Sequence, residues 1–275
     1  MQEPGINILD INTTEISSYG DKVHIRTTPD VVIKDYNIGM DLEYDRYNAE
    51  TVELLIDKGK YFGFAVNDVE QKQADIAFVD KWAEDASEQM KINIDSGILA
   101  DIPPDAAAAN KGDSAGKIVQ NINLGKTGAP FAAAKDVVVD KMVECGQVLT
   151  EQNRPTTNRW MVIPAWMSTR VKVSELKEAS FSGDGKSTVR SGLMGKIDNF
   201  NIYESNNLTS ITDGSDTCFN VMFGHMSALT FASQLTENET LPNPKDFGKL
   251  IRGLQVYGYK VVQPESMGCL YCKPA

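Results

Sequence analysis

Alternation of polar and apolar positions predicts β-strands through much of the first 66 residues. The alternation has period two over residues 22–26 and 40–45, and a turn sequence at 57–60 separates apolar runs at 52–56 and 61–66. Both faces of these ribbons are fairly polar. We therefore expect them to bury little surface alone and to need a partner.

A spacing of three or four residues between apolar positions predicts a long helix over residues 68–101. Asn67 is the predicted N-cap, and Pro103 and Pro104 end the helix. Trp82, Met90 and Ile94 are expected to be buried. The stripe is narrow and keeps no heptad register, which favours a helix lying across a sheet over a coiled coil. The apolar positions are Ile76, Val79, Trp82, Ala83, Ala86, Met90, Ile94 and Ile98.

The rest of the chain mixes loops, helices and strands. Residues 104–131 are rich in Ala, Gly and Asn and predict a loop, and Trp160 to Ile163 predict a short buried strand ending at Pro164. The further predictions are helices over 132–153 and 165–179, a flexible loop at 181–186, a strand over 195–203, and strands around Gly253 and Gly258 within 250–271.

Composition excludes several classes of protein. Hydrophobic residues make up 41% and charged residues 24% of the 275 residues, which is typical of a globular protein and not of a disordered one. No apolar stretch is long enough to span a membrane, and no secretory signal is expected at residues 1–10.

The net charge of −11 lies in the first 100 residues, which hold 9 basic and 20 acidic residues, whereas the rest holds 18 of each. An acidic chain disfavours specific nucleic-acid binding and anionic membranes.

Candidate chemical motifs are few. Cys269 and Cys272 form a single CxxC, which we interpret as apolar residues of a terminal strand, with a metal or redox role as the minor alternative. Two segments, residues 112–118 and 120–127, resemble phosphate loops but lack required residues, and neither follows an apolar strand. His24 and His225 are interpreted as structural. We predict no catalytic, cofactor-binding or metal-binding residues and no cofactor.

The second half of the chain carries two distinctive motifs. One is Gly195-Lys-Ile-Asp-Asn-Phe-Asn-Ile-Tyr-Glu-Ser-Asn-Asn-Leu208, and the other is Gly253-Leu-Gln-Val-Tyr-Gly-Tyr-Lys-Val-Val-Gln-Pro-Glu265. In this order they resemble the major capsid proteins of tailed bacteriophages with the Hong Kong 97-type fold. Nearly the whole chain fits the family's order of elements, and residues 104–158 match most weakly.

The resemblance implies an α+β fold with named parts. These are an N-terminal arm at 1–20, an extended β-hairpin loop at 21–66, a peripheral domain with the long spine helix at 67–103 and 236–275, and an axial domain at 104–235. Some relatives crosslink a loop lysine to an asparagine of another subunit. Lys34, Lys58 and Lys60 lie in the predicted loop, but no pattern identifies an acceptor or a catalytic glutamate.

The implied function is that of a major capsid protein, without enzymatic activity. It would assemble as hexamers and pentamers into an icosahedral head around double-stranded DNA, in the host cytoplasm, and stay in the virion. Other implied partners are portal, scaffolding and decoration proteins, with nonspecific proximity to packaged DNA and no membrane. The alternatives are an encapsulin-like nanocompartment shell and, further behind, an enzyme of unknown class.

Overall fold

The computed structural model describes residues 22–26, 32–41, 44–46, 51–67, 78–174, 195–244 and 246–275. Three helices are described: α1 (Phe78–Asp101), α2 (Val138–Glu151) and α3 (Ala165–Val173). None of them combines the length and the apolar composition that a bilayer-spanning helix needs. The strands are β1 (Lys22–Arg26), β2 (Thr51–Leu55), β3 (Lys58–Asn67), β4 (Phe131–Ala133), β5 (Arg159–Ile163), β6 (Lys196–Ile197), β7 (Phe200–Glu204), β8 (Ser210–Asp213), β9 (Asp216–His225), β10 (Leu229–Pro242), β11 (Gly248–Val261) and β12 (Met267–Pro274).

The largest sheet has seven strands in the order β4-β12-β9-β5-β7-β6, with β8 paired to the first half of β9. Helices α2 and α3 cover one face. The end of α1 and the loop after it cover the other, where Leu99 and Ile102 pack. All five residues of the central strand β5 are buried because the sheet is covered on both faces. This confirms the predicted buried strand and explains why its apolar residues form a continuous run.

The second sheet has three antiparallel strands in the order β10-β11-β3. Helix α1 lies across one face of it, where Met90 and Ile94 pack against Tyr257. Phe62 of β3 lies over Gly253 of β11, where an added Cβ would come within 2.4 Å of the ring, so only glycine fits there. The contacts of Met90 and Ile94 with Tyr257 confirm the predicted burial of these two residues. They also confirm the prediction that this helix lies across a sheet.

A two-stranded ladder of β1 and β2 packs on the opposite face of the three-stranded sheet. Leu54 and Ile56 are fully buried there against Ala232 and Val256. The prediction that both faces of this ribbon are polar is therefore wrong at its base, because alternate residues of β1 and β2 form an apolar face that packs within the same chain.

Trp82 is 42% exposed, so its predicted burial is wrong within the single chain. Its ring meets Phe64 edge to face, with the ring centroids 5.7 Å apart. Phe64 belongs to β3, the outermost strand of the sheet, so no further strand of the described chain covers the indole ring. The first part of the predicted helix, residues 68–77, lies outside the described residues.

Several other predicted boundaries change. Residues 40, 41, 44 and 45 form no strand, and residues 58–60 belong to β3 rather than to a turn. Residues 195–203 form a tight hairpin, β6 to β7, because Asp198 adopts a left-handed conformation with φ of 51°. Helix α2 begins at Val138, later than predicted, because β4 first pairs with β12.

Strand pairing also cuts across the predicted domain boundary between residues 235 and 236. Strand β10 runs through it without a break in the sheet, and β12 returns to pair with β9 of the seven-stranded sheet. Gly253 and Gly258 both lie within the single strand β11. The predicted arm at 1–20 and the predicted loop at 181–186 lie outside the described residues.

Arg159, at the start of β5, is fully buried and connects that strand to the end of α2. Its guanidinium donates to the carbonyl oxygens of Gly146, Arg154 and Pro155 at 2.8–2.9 Å, and to Thr150 Oγ1 at 3.1 Å. Burial lowers its pKa, and the nearby carboxylate of Asp198 opposes that shift. Because the guanidinium contacts Gly146 and Thr150, its positive charge lies at the C-terminus of α2, where the helix dipole favours a positive charge.

Candidate assembly surfaces

The most exposed apolar surface of the described chain is a short segment between β1 and β2. We call it the apolar tip (residues 32–41 and 44–46). Ile33 and Ile38 are 87% and 96% exposed, values that are unusual for isoleucine in a protein whose surface meets only water. The large apolar residues exposed in the tip are Val32, Ile33, Tyr36, Ile38, Met40 and Tyr44.

The apolar tip has local order, although none of the sheets among the described residues includes it. The Met40 amide donates to the Asn37 carbonyl at 3.2 Å, which closes a turn, and Gly39 in that turn has a φ of +89° that favours glycine. Lys34 Nζ forms an ion pair with Asp45 at 2.9 Å and so joins the two sides of the tip. The tip therefore presents apolar side chains on a partly ordered backbone.

The base of the tip is fixed to the body of the chain. The β1–β2 ladder buries Leu54 and Ile56, and Lys260 Nζ of β11 donates to the Glu53 carbonyl at 3.0 Å. Lys22 and Glu53 pair across the ladder at 2.8 Å. A fixed base under an exposed apolar tip is the geometry of a segment that contacts another molecule.

The point where β2 leads into β3 is held by three polar side chains, which we call the Lys58 junction (Lys58, Asp101 and Tyr259). Lys58 Nζ donates to Tyr259 Oη at 2.6 Å and to Asp101 Oδ2 at 2.9 Å, and the Tyr259 hydroxyl donates to the same carboxylate. Burial alone would lower the pKa of Lys58, but these hydrogen bonds outweigh it and raise the pKa. The junction ties β3, the last residue of α1 and β11 together.

The Lys58 junction predicts a pH-dependent stability. Hydrogen bonds from Tyr259 and Lys58 hold the pKa of Asp101 below its ordinary value, so their stabilisation is present above that value and is lost as the pH falls below about 4. We expect Asp101→Asn to lower the thermal midpoint by about 1–3 °C at neutral pH, a small effect because water screens the group.

The difference between wild type and Asp101→Asn should vanish in acid, as measured by thermal unfolding across the pH range. Glu84→Gln is the matched control, because Glu84 is exposed on the same helix and forms no ion pair within the described residues. A destabilisation by Asp101→Asn that persists unchanged in acid would contradict this role of the carboxylate.

The two phosphate-loop-like segments lie in the loop between α1 and α2. The backbone amides of Ile118 and Val119 donate to Glu151 Oε2 at 2.8 and 3.2 Å. An antiparallel bridge joins Ala115 to Ile122. Several amides that such a motif would offer to a phosphate are therefore bound within the chain: those of Ile118 and Val119 to the Glu151 carboxylate, and those of Ile122 and Leu124 to backbone carbonyl oxygens.

The four cysteines are buried free thiols. Cys269 and Cys272 lie in β12 on opposite faces of the seven-stranded sheet, one in each core layer, so their thiols do not converge. This confirms the interpretation of the CxxC as apolar residues of a terminal strand. Of the histidines, His24 is exposed on β1, and His225 Nδ1 accepts the Ser227 amide at 3.2 Å in a turn.

Burial raises the pKa of Cys269 to about 12 and also raises the pKa of Cys145 and Cys272. We expect none of the four thiols to react with a disulfide reagent such as DTNB in the native chain at mildly alkaline pH, and all four to react in denaturant. Assembled particles should be insensitive to reductant. Particles that dissociate on addition of a reductant would show a disulfide and contradict the prediction.

Comparison with known proteins defines the fold. No protein family and no curated protein matches the chain. A structure from Mycobacterium phage Che8 covers 98% of this chain and 90% of its own, with 27% identity and a TM-score of 0.72. The mature capsid of bacteriophage PhiM1 matches 92% of this chain and 81% of that one, with 15% identity and a TM-score of 0.61.

A virus-like particle from Pyrococcus furiosus also matches, over 98% of this chain and 92% of that one, with 12% identity and a TM-score of 0.56. These matches confirm the resemblance to tailed-phage major capsid proteins that the sequence motifs indicate. The mixed sheets and three helices of the described chain have the fold of phage capsid proteins.

Proposed function

We propose that the chain is the major capsid protein of a tailed bacteriophage. It assembles as hexamers and pentamers into an icosahedral head that encloses double-stranded DNA. The observation that carries this proposal is the structural match over 98% of the chain to a phage structure at 27% identity. The protein acts as a structural component of the virion, is assembled in the host cytoplasm and catalyses no reaction.

The parts of the Hong Kong 97-type fold are assigned on the same basis. Residues 21–66 form the extended loop, whose apolar tip contacts a neighbouring copy, and residues 1–20 form the N-terminal arm. Residues 67–103 and 236–275 form the peripheral domain with α1 as its spine helix, and residues 104–235 form the axial domain. The three-stranded sheet under α1 and the separate seven-stranded sheet support a division into two units. Strands β3 and β10 extend across the proposed boundaries, and β12, although within 236–275, pairs only in the seven-stranded sheet.

The exposed apolar tip supports self-assembly in particular. Fixed apolar side chains in water cost free energy, roughly 25 cal/mol for each Å² that a partner could cover. In a shell every copy has neighbours, so a segment that is exposed in the single chain is covered in the lattice. Portal, scaffolding and decoration proteins are further partners of the assembled head.

A nanocompartment shell around cargo proteins is the second candidate, because the virus-like particle from Pyrococcus furiosus matches the fold. The content of the particle separates the two functions. Particles purified from cells that express the chain with the phage packaging machinery should contain nuclease-protected DNA. Particles that enclose a cargo protein and no nucleic acid would support the nanocompartment instead, and a small oligomer would contradict both.

The charge distribution predicts weak contact with packaged DNA. Glu84, Asp85 and Glu88 are exposed on α1, and we propose that part of this acidic region faces the inside of the shell. These carboxylates repel phosphates over about 8–10 Å at physiological salt. Asp75 and Asp80, which belong to the same predicted acidic face, lie outside the side chains that the structure describes.

We therefore expect dissociated capsomers to bind duplex DNA weakly, as measured by fluorescence anisotropy over a range of salt concentrations. A variant with Glu84, Asp85 and Glu88 changed to glutamine should bind more tightly. Tight binding by the wild type that weakens steeply with salt would show a basic phosphate-binding surface and contradict the prediction.

A further inference from the structure

We propose that the outer edge of β3 is a strand-addition site that receives residues 32–38 of the apolar tip from a second copy of the chain. This inference rests on the shell function proposed above and names the surface that the tip contacts. Four observations support it: the open edge of β3, the protected opposite edge of the same sheet, the exposed aromatic rings beside β3, and the charges of the two segments.

No strand of the described chain covers the outer edge of β3, which we call the open edge. Strand β3 pairs through its backbone with β11 on one side, and no described backbone group outside β11 bonds to residues 58–66. Residues 61–66 carry no charge and no proline. Exposed edges without charge, proline or bulge are templates for pairing with another strand, and proteins usually protect them.

The opposite edge of the same sheet is protected. Strand β10 has a register shift between Leu235 and Glu237, which twists the edge, and it ends at Pro242, which has no amide to donate. One edge of this sheet is therefore blocked against strand addition and the other is left accessible.

Exposed aromatic rings flank the open edge on both faces of the sheet. On the helix side, Trp82 is 42% exposed beside Phe64 of β3. On the other side, Tyr61 of β3 is 82% exposed. Side chains of an added strand alternate between the two faces, so a single strand at this edge would cover both rings.

The apolar tip supplies a complementary strand. Residues 32–37 belong to no described strand, and their side chains at Ile33 and Tyr36 are exposed. Asp35 and Asp41 form no ion pair within the described residues, and Lys60, at the start of the open edge, forms none either. Within residues 32–38, the charge without an ion pair among the described residues is thus acidic, whereas Lys60 at the edge is basic.

A second copy, rather than the same chain, provides the tip. Strand β2 leads into β3 through only Ile56 and Asp57, whereas the tip precedes β2 and so lies at its opposite end. The tip therefore extends away from its own β3, and its side chains are exposed in the single chain. In a lattice of copies each tip can pair with the open β3 edge of a neighbour.

The test uses two full-length variants with one added cysteine each, Tyr36→Cys and Ala65→Cys, which are co-expressed and treated with a short bismaleimide. Only a contact between copies can link them, and the native thiols are buried. We expect roughly tenfold more crosslinked dimer than in the control pair Tyr36→Cys with Thr240→Cys, because paired positions of a ladder lie about 5 Å apart. Thr240 is exposed on the protected strand β10.

The backbone pairing itself is tested by hydrogen exchange. Amides of β3 should become protected when chains assemble into particles, whereas those on the outer side of β10 should not. Particles that form without the 36–65 crosslink, or with equal crosslinking at residue 240, would overturn this inference and leave the shell function intact. Failure to form any particle would overturn both.

Discussion

Replacing Arg159 with methionine is expected to lower the free energy of unfolding by about 3–5 kcal/mol. The guanidinium is fully buried, and each of its three nitrogens donates a hydrogen bond to a backbone carbonyl or a hydroxyl at the end of α2 and in the loop to β5. Methionine fills similar volume, but it leaves three carbonyl oxygens and Thr150 Oγ1 without that donor. The cost is therefore that of buried polar groups left unpaired.

Arg252→Met is the matched control for Arg159→Met. Arg252 also lies in a strand, but its side chain is 62% exposed and pairs with Glu239 at the surface. Its loss should cost less than about 1 kcal/mol. Urea denaturation of the dissociated chain measures both variants, and equal effects would show that Arg159 does not hold β5 to α2.

Changing Ile33, Tyr36 and Ile38 together to serine is expected to reduce particle yield by at least about tenfold while the chain still folds. These side chains are exposed in the single chain and belong to no core cluster, so their loss removes little intramolecular packing. In a lattice they would be covered, and three lost apolar contacts on every copy weaken every interface. Size-exclusion chromatography measures the yield, and circular dichroism measures the fold.

The control variant changes Ile118, Val143 and Val173 to serine. These apolar residues are also exposed, but they lie at dispersed positions around the seven-stranded sheet. It removes similar surface without touching the tip, so its particle yield should fall less. Deletion of residues 40–50 should reproduce the effect of the tip substitutions. Normal particle yield from both tip variants would contradict the role of the tip in assembly.

The sequence predicts best those elements whose burial follows a simple period. Strand β5 is buried on both faces and therefore appears as an unbroken apolar run, and Met90 and Ile94 follow the helical spacing of α1. The hairpin at residues 195–203 was less predictable. Its turn depends on a left-handed backbone conformation at Asp198, and the aspartate residue type does not by itself predict that conformation.

Long-range contacts account for what the sequence could not show. Residues 40, 41, 44 and 45 alternate like a strand but have no partner strand within the described chain, so these four residues form none. The importance of Arg159 depends on acceptors at Gly146, Thr150 and Arg154, which only the packing of α2 against β5 brings together. The open edge of β3 likewise becomes evident only from the pairing order of the sheet.

Negative-stain electron microscopy of particles from cells expressing the full-length chain tests the central claim most directly. A capsid subunit should form closed shells of uniform size and megadalton mass, and these should be lost in the triple serine variant of the tip. A homogeneous small oligomer, with the tip variant unchanged in size, would contradict the account.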